Sequence, residues 1–154
     1  MMKTRSIGVA VPVRSSVNWF KSAPQDRITA IKRGLPAAEA KRILAGLLLP
    51  TGVAMRALKL SPATVNRKVA QHQALAPEES ERVIGLAKLV GQVEAMVEES
   101  GSTDGFDARR WVSHWLREPV PALGGARPID FLDTMEGQSL VSRTLAQMQS
   151  GAYA

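Results

Sequence analysis

From Asp26 onward the apolar residues recur at helical spacing, and proline or glycine interrupts them at short intervals. Such a chain is confined to short helices that bury their apolar stripes against one another. Asp26 is placed to cap a first helix that turns Ile28 and Ile31 inward. Gly34 ends it, and Pro36 opens a second that runs to about Leu48 with Ala40, Ile43, Leu44 and Leu47 on one face. Pro50 breaks that helix, and Thr51 is placed to cap a third one through Leu58. Ser61 followed by Pro62 is a start signal: serine accepts from the free N–H groups of a first turn, and proline there gives up an N–H that has no partner. The fourth helix, from Pro62 to about Gln71, buries Val65 and Val69.

After Pro77 a long helix sets Val83, Leu86, Ala87, Val90, Val93 and Val97 on one face. Glu78, Glu79 and Glu81 sit near its start, where the helix dipole favours carboxylates. Gly101 to Gly105 ends it. Asp107 caps a helix holding Trp111, Val112, Trp115 and Leu116, and Pro119 to Gly125 reads as an extended loop. Pro128 starts a short helix with Ile129, Phe131 and Leu132, and Gly137 separates it from a last helix carrying Leu140, Val141, Leu145 and Met148. Gly151 ends that helix and leaves a tail. At the other end, residues 1–25 read as an arm in which Ile7, Val9, Val11 and Val13 alternate like a strand. A lone short strand has no pairing partner here, so the arm is held by a partner chain or packs as irregular chain against the body. No later segment reads as strand. The fold class is all-α, about eight helices in two lobes joined by the long helix.

Composition removes whole classes of function. The 154 residues, 45% hydrophobic and 22% charged, make a folded domain of ordinary size or two small ones sharing a core. No cysteine is present, which excludes disulfide scaffolds, thiol catalysis and Cys-type zinc sites. Two histidines, His72 and His114, are too few for a His-rich metal site and have no acid or nucleophile at catalytic spacing. No apolar run reaches the roughly 18 residues of a membrane span. Met1 to Arg14 lacks the apolar core and cleavage site of a secretory signal. Gly124 and Gly125 lie in no phosphate-loop pattern. No catalytic residues, metal or cofactor are therefore expected, and a small enzyme is the weakest reading.

The net charge of +6 conceals a division. Residues 1–75 carry thirteen lysines and arginines against Asp26 and Glu39, a balance of +11. The remainder carries seven against twelve, a balance of −5. A basic half suits a polyanion, most simply nucleic acid, and the acidic half serves another purpose. Thr51 to Gln71 supplies the means: a short helix, a tight turn and a second helix resemble a helix-turn-helix, whose second helix enters the major groove. Ala63, Thr64, Asn66 and Arg67 lie off the Val65/Val69 face and are expected to meet base edges, Arg67 on guanine and Asn66 on adenine. Lys32, Arg33, Arg56, Lys59 and Lys68 are expected to contact phosphates. The small residue and the glycine usual in such motifs are replaced by Met55 and Lys59. Trp111 and Trp115 read as core, or else as an aromatic patch for a partner.

A longer pattern covers the second half. Trp115, Leu116, Pro119, the run Ala122 to Gly125, the run Pro128 to Thr134, Gly137, Val141, Leu145 and Gly151 resemble the toxin-binding domain of the Xre/MbcA/ParS-type antitoxins. Gly34 to Pro36, Leu60, Ser61, the run Thr64 to Lys68 and the run Glu79 to Arg82 resemble the Xre-like helix-turn-helix domain that precedes it in that family. Val120 departs from the asparagine common in the family. The resemblance implies an arm (1–25), a helix-turn-helix domain (26–88) and a toxin-binding domain (89–154). It implies a cytoplasmic bacterial type II antitoxin that binds and blocks a RES-domain, NAD-degrading toxin. It also implies repression of its own operator DNA, as a homodimer or within a larger toxin–antitoxin assembly. The tail Gly151, Ala152, Tyr153 and Ala154 is expected to reach the toxin's NAD site, Tyr153 by stacking or hydrogen bonding and the Ala154 carboxylate by meeting a cationic phosphate clamp. The competing reading is a stand-alone helix-turn-helix repressor whose C-terminal lobe only dimerises.

Overall fold

The computed structural model describes residues 16–101 and 104–151. The strand-like alternation from Ile7 to Val13 lies outside them. Among the described residues eight helices follow in order: α1 Ser16–Lys21, α2 Pro24–Arg33, α3 Ala37–Ala45, α4 Thr51–Ala57, α5 Pro62–Ala70, α6 Pro77–Ser100, α7 Ala108–Trp115 and α8 Met135–Ser150. Two 3-10 turns, Pro121–Leu123 and Pro128–Phe131, lie between α7 and α8. The one extended pairing among the described residues is an isolated antiparallel bridge between Pro36 and Ala74, so the all-α class holds.

The long helix α6 is the spine, and α1, α2, α3, α7 and α8 all pack on it. Sequence spacing gives it a single apolar face. Instead Ile84 and Leu89 are buried as deeply as Val83, Leu86 and Val90, none more than 3% exposed. A helix apolar all round needs cover on every side. The additional cover is α1 and α2. Ile84 lies beside Ile28 and Ile31 of α2, and Leu89 beside Phe20 of α1. Residues 16–25, expected within the arm, belong to the folded body. They form α1, a turn and the start of α2, and Trp19 enters the core at 2% exposure. Arg27 holds this corner by donating to the carbonyl oxygens of Trp19 and Ser22. Six helical residues are too few to show a period.

Several helix starts differ from expectation. Pro24 opens α2, so Asp26 lies inside its first turn and caps nothing. Ile28 faces outward at 49% exposure. Pro50, with its preset φ, takes the cap position of α4, and Thr51 is the first helical residue. The helix expected to reach Leu48 stops at Ala45, and Leu47 and Leu49 are buried from the turn that follows. Asp107 does cap α7, its Oδ1 accepting from the Arg110 N–H at 3.2 Å. The expected extended loop at Pro119–Gly125 is a 3-10 turn closed by Gly124 and Gly125 at positive φ. Val120 suits this turn: its side chain is 3% exposed and its N–H donates to the Ala126 carbonyl oxygen.

Gly137 does not separate two helices but sits in the first turn of α8, where Thr134 Oγ1 accepts from its N–H at 2.9 Å. A Cβ there would overlap the carbonyl oxygen of Phe131. Gly85 on α6 makes a similar close approach to Gln138 Oε1. The Gln138 amide is fixed because Nε2 donates to the carbonyl oxygens of Arg82 (3.1 Å) and Leu132 (3.0 Å). Gly137→Ala must move backbone and is expected to cost about 2–3 kcal/mol; Gly85→Ala must displace the amide and is expected to cost about 1–3 kcal/mol. Urea unfolding measures both, and a loss below about 0.5 kcal/mol at Gly137 would contradict the close approach.

Candidate functional site

The helix pair α4 and α5 meets at the turn expected from the sequence. Met55 is buried at 1% exposure and Lys59 takes φ +55°, the place where glycine is usual. The turn closes as a Schellman motif: the Leu60 N–H donates to Met55 O (2.8 Å) and the Lys59 N–H to Arg56 O (3.0 Å). A side chain in this conformation costs about 1–2 kcal/mol, so the closure must be held from outside. Arg82 of α6 does so, its Nε donating to the Leu58 carbonyl oxygen at 2.6 Å. The far end of α5 repeats the device with His72 at φ +56° and the Gln73 N–H on Lys68 O (2.8 Å). Nearby, the Ser80 hydroxyl accepts from the Leu35 N–H (2.8 Å) and donates to Leu75 O (3.4 Å).

Helix α5 is therefore clamped at both ends. Ser61 Oγ accepts from the Thr64 N–H at 3.3 Å, as its position predicts. Val65 is buried and Val69 half-buried. Ala63, Asn66 and Arg67 are exposed and Thr64 is half-exposed, so the residues expected to meet bases share the outer side of α5. Among the described residues the Arg67 side chain has no hydrogen bond or ion pair. Asn66 Oδ1 accepts from Lys41 Nζ at 2.9 Å. Lys41 was not among the expected contacts. It is one of the thirteen basic residues, but only the packing of α3 on α5 brings it here.

The expected phosphate contacts divide. Lys32 and Arg33 are exposed in the last turn of α2, and Arg56 is exposed on α4. Lys59 is exposed, with a 3.6 Å ion pair to Asp133. Lys68 is different. It pairs with Glu79 at 3.7 Å, both side chains about one-fifth exposed, and Glu79 also accepts from the Ala76 N–H. Lys68 ties α5 to the start of α6.

At the other end of the spine, Trp111 and Trp115 stack with ring centroids 5.6 Å apart and planes 13° from parallel. Trp115 is buried in the core, and Trp111 is half-exposed and packs against that core. Glu94 has one buried carboxylate oxygen, Oε1, without a hydrogen-bond partner among the described residues. Burial raises its pKa, against the pull of Arg109 and with help from Glu98 and Asp107. Burial, then Arg27, lowers that of Lys88, opposed by Glu81. Gly151 ends α8 at φ +73° with its N–H on Met148 O. Ala152, Tyr153 and Ala154 lie outside the described residues. Among the described residues no group of His, Asp and Glu could hold a metal ion, and no helix is long and apolar enough to cross a membrane.

Comparison with known proteins matches two stretches of the chain. Residues 26–88 match the antitoxin Xre-like helix-turn-helix domain. Residues 101–151 match the antitoxin Xre/MbcA/ParS C-terminal toxin-binding domain. A curated protein of Sphingobium sp. (strain YBL2), named Prs ADP-ribosylating antitoxin, is 61% identical over 135 residues, covering 88% of this chain and 85% of its own length.

Two outcomes are expected from these geometries. Arg67→Ala should cost about 1–3 kcal/mol on preferred DNA and little on random DNA, whereas Lys68→Ala should lower folding stability more than DNA affinity. Gel-shift titrations beside thermal melts separate them, and equal losses on both DNAs would remove Arg67 from base reading. For Glu94 the folded pKa exceeds the unfolded one, so its contribution is intact below the ordinary carboxylate range and is lost as pH rises through the folded value. Glu94→Gln should thus be more stable than the parent at neutral pH, with the gap closing on acidification. A gap that widens instead would contradict the burial.

Proposed function

The chain belongs to the Xre/MbcA/ParS antitoxin family, and from that premise we propose that it neutralises a RES-domain toxin as half of a type II pair. The observation that carries this is the 61% identity to an antitoxin over most of both chains. The chain acts by binding and not by catalysis. Its C-terminal region covers the toxin's active site, with the tail after Gly151 entering the NAD site and Tyr153 stacking or hydrogen bonding there. The balance of −5 over residues 76–154 supports this, since a site that receives the phosphates of NAD is cationic.

The relative's name adds a second reading of the toxin's chemistry. Transfer of ADP-ribose to a protein breaks the bond between nicotinamide and ribose, as outright NAD destruction does. Both release nicotinamide, and they differ in whether ADP-ribose ends on protein. The basic half serves the other activity. We infer that α5 enters the major groove with Ala63, Thr64, Asn66 and Arg67 toward bases, and that Lys32, Arg33, Arg56 and Lys59 hold phosphates. Two copies, as a homodimer or within a toxin–antitoxin assembly, then repress a palindromic operator in the bacterial cytoplasm. Its half-sites lie about one helical turn apart.

Deletion of residues 152–154 tests the tail, because it leaves the Gly151 cap in place. The truncated chain should still co-purify with the toxin while nicotinamide release returns, and labelled NAD reports whether ADP-ribose reaches protein. Full inhibition by the truncated chain would overturn the plug.

A further inference from the structure

An apolar groove runs between the C-terminal half of α6, the start of α7 and the last turns of α8. Its walls include Met96, Val97, Phe106, Trp111, Leu145 and Met148. Phe106 is 40% exposed, and Trp111, Met96, Val97 and Met148 are half-exposed. The stack on buried Trp115 fixes the Trp111 ring before any partner arrives, so it loses little entropy on contact. The two methionines supply adaptable walls. A rigid aromatic beside flexible thioethers is the composition of a binding hot spot, not of a solvated face.

We propose that this groove is the main seat of the toxin on this chain, and that it takes an apolar cluster of the toxin flanked by lysine or arginine. The proposal rests on the antitoxin reading above and adds to it the surface that holds the partner. Three observations commit it to this occupant. Phe106, Trp111, Leu145 and Met148 lie within the stretch that matches the toxin-binding domain. The groove reaches the last turns of α8 at Met148 and Gln149, two residues before Gly151, where the stretch that matches the toxin-binding domain ends. The third is charge. Residues 93–107 hold Glu94, Glu98, Glu99, Asp104 and Asp107 and no lysine or arginine. Among the described residues, Lys21 lies 3.6 Å from Glu98, and Arg109 acts on Glu94. The acidic excess complements a protein whose substrate carries phosphates. None of the residues assigned to DNA lines the groove.

The test uses the full chain and the purified toxin. Met148→Glu places a charge on the groove, and Phe106→Ser removes an exposed ring from a loop, so that one variant remains if the other fails to fold. Each should weaken toxin binding by roughly 10- to 100-fold in a calorimetric or biolayer titration, with the melting transition and DNA binding retained. A folded variant that binds the toxin within about twofold of the parent would overturn the proposal. So would a variant that turns a dimer of this chain into a monomer at unchanged toxin affinity, since a second copy would then be the occupant. If removing residues 1–15 alone opened the groove to solvent in hydrogen exchange at unchanged toxin affinity, the arm would be the occupant, and the proposal would again fail. A parent chain that binds no toxin at all would sink the antitoxin reading itself and this proposal with it.

Discussion

In the middle of α6, from Val83 to Val93, Lys88 is the one residue that is not buried. The apolar side chains of this stretch are buried all round, and the chain on either side of it must fold back to cover them. α1, α2 and α3 arrive from the N-terminal part, and α7 and α8 from the C-terminal part. The result is one core that runs from Trp19 to Leu145. Polar groups inside it fix the register. Gln138 is held by two carbonyls, and Gln92 joins α6 to α8 twice, its Nε2 donating to the Ser142 carbonyl oxygen at 3.0 Å and its Oε1 accepting from the Ser142 hydroxyl at 2.8 Å. Buried amides with this many partners tolerate little sliding of one helix past another.

That spine gives the molecule two working ends. Near Pro77 it pairs with α5 through Glu79 and Lys68, and it holds the chain on either side of α5 through Arg82 on the Leu58 carbonyl and Ser80 on Leu35 and Leu75. Near Ser100 it forms one wall of the groove beside Trp111. The charges follow the same division, with basic residues on α2 to α5 and acidic ones on the second half of α6 and the loop beyond it. On the proposed reading, a nucleic acid and a cationic protein are met by one small chain on different surfaces. A domain boundary drawn at residues 88 and 89 falls inside an unbroken helix, and the two parts share a single core.

Much of this was legible in the residues. Ser61 and Pro62, Asp107, and the substitution of Lys59 for glycine each act within one turn of chain, and each behaves as local chemistry dictates. What periodicity could not reach was whatever depends on a distant segment. The burial of Ile84 and Leu89 needs α1 and α2 beside them. The engagement of Lys68 with Glu79, and of Lys41 with Asn66, needs helices that cross in space. Gly137 has the look of a helix breaker in sequence, yet it is required inside the helix because the Phe131 carbonyl leaves no room for a side chain. The Trp pair reads as core from its spacing, and only the packing of α7 shows that Trp115 is buried while Trp111 stays half-exposed.

The central claim is that this chain holds a toxin that consumes NAD. The direct measurement is co-expression with the product of the neighbouring gene, followed by pull-down and an NAD assay on the same cells. The account predicts a stable complex with NAD preserved, and NAD lost when this chain is omitted. No complex, and NAD unchanged in either case, would contradict it and leave a DNA-binding repressor in its place.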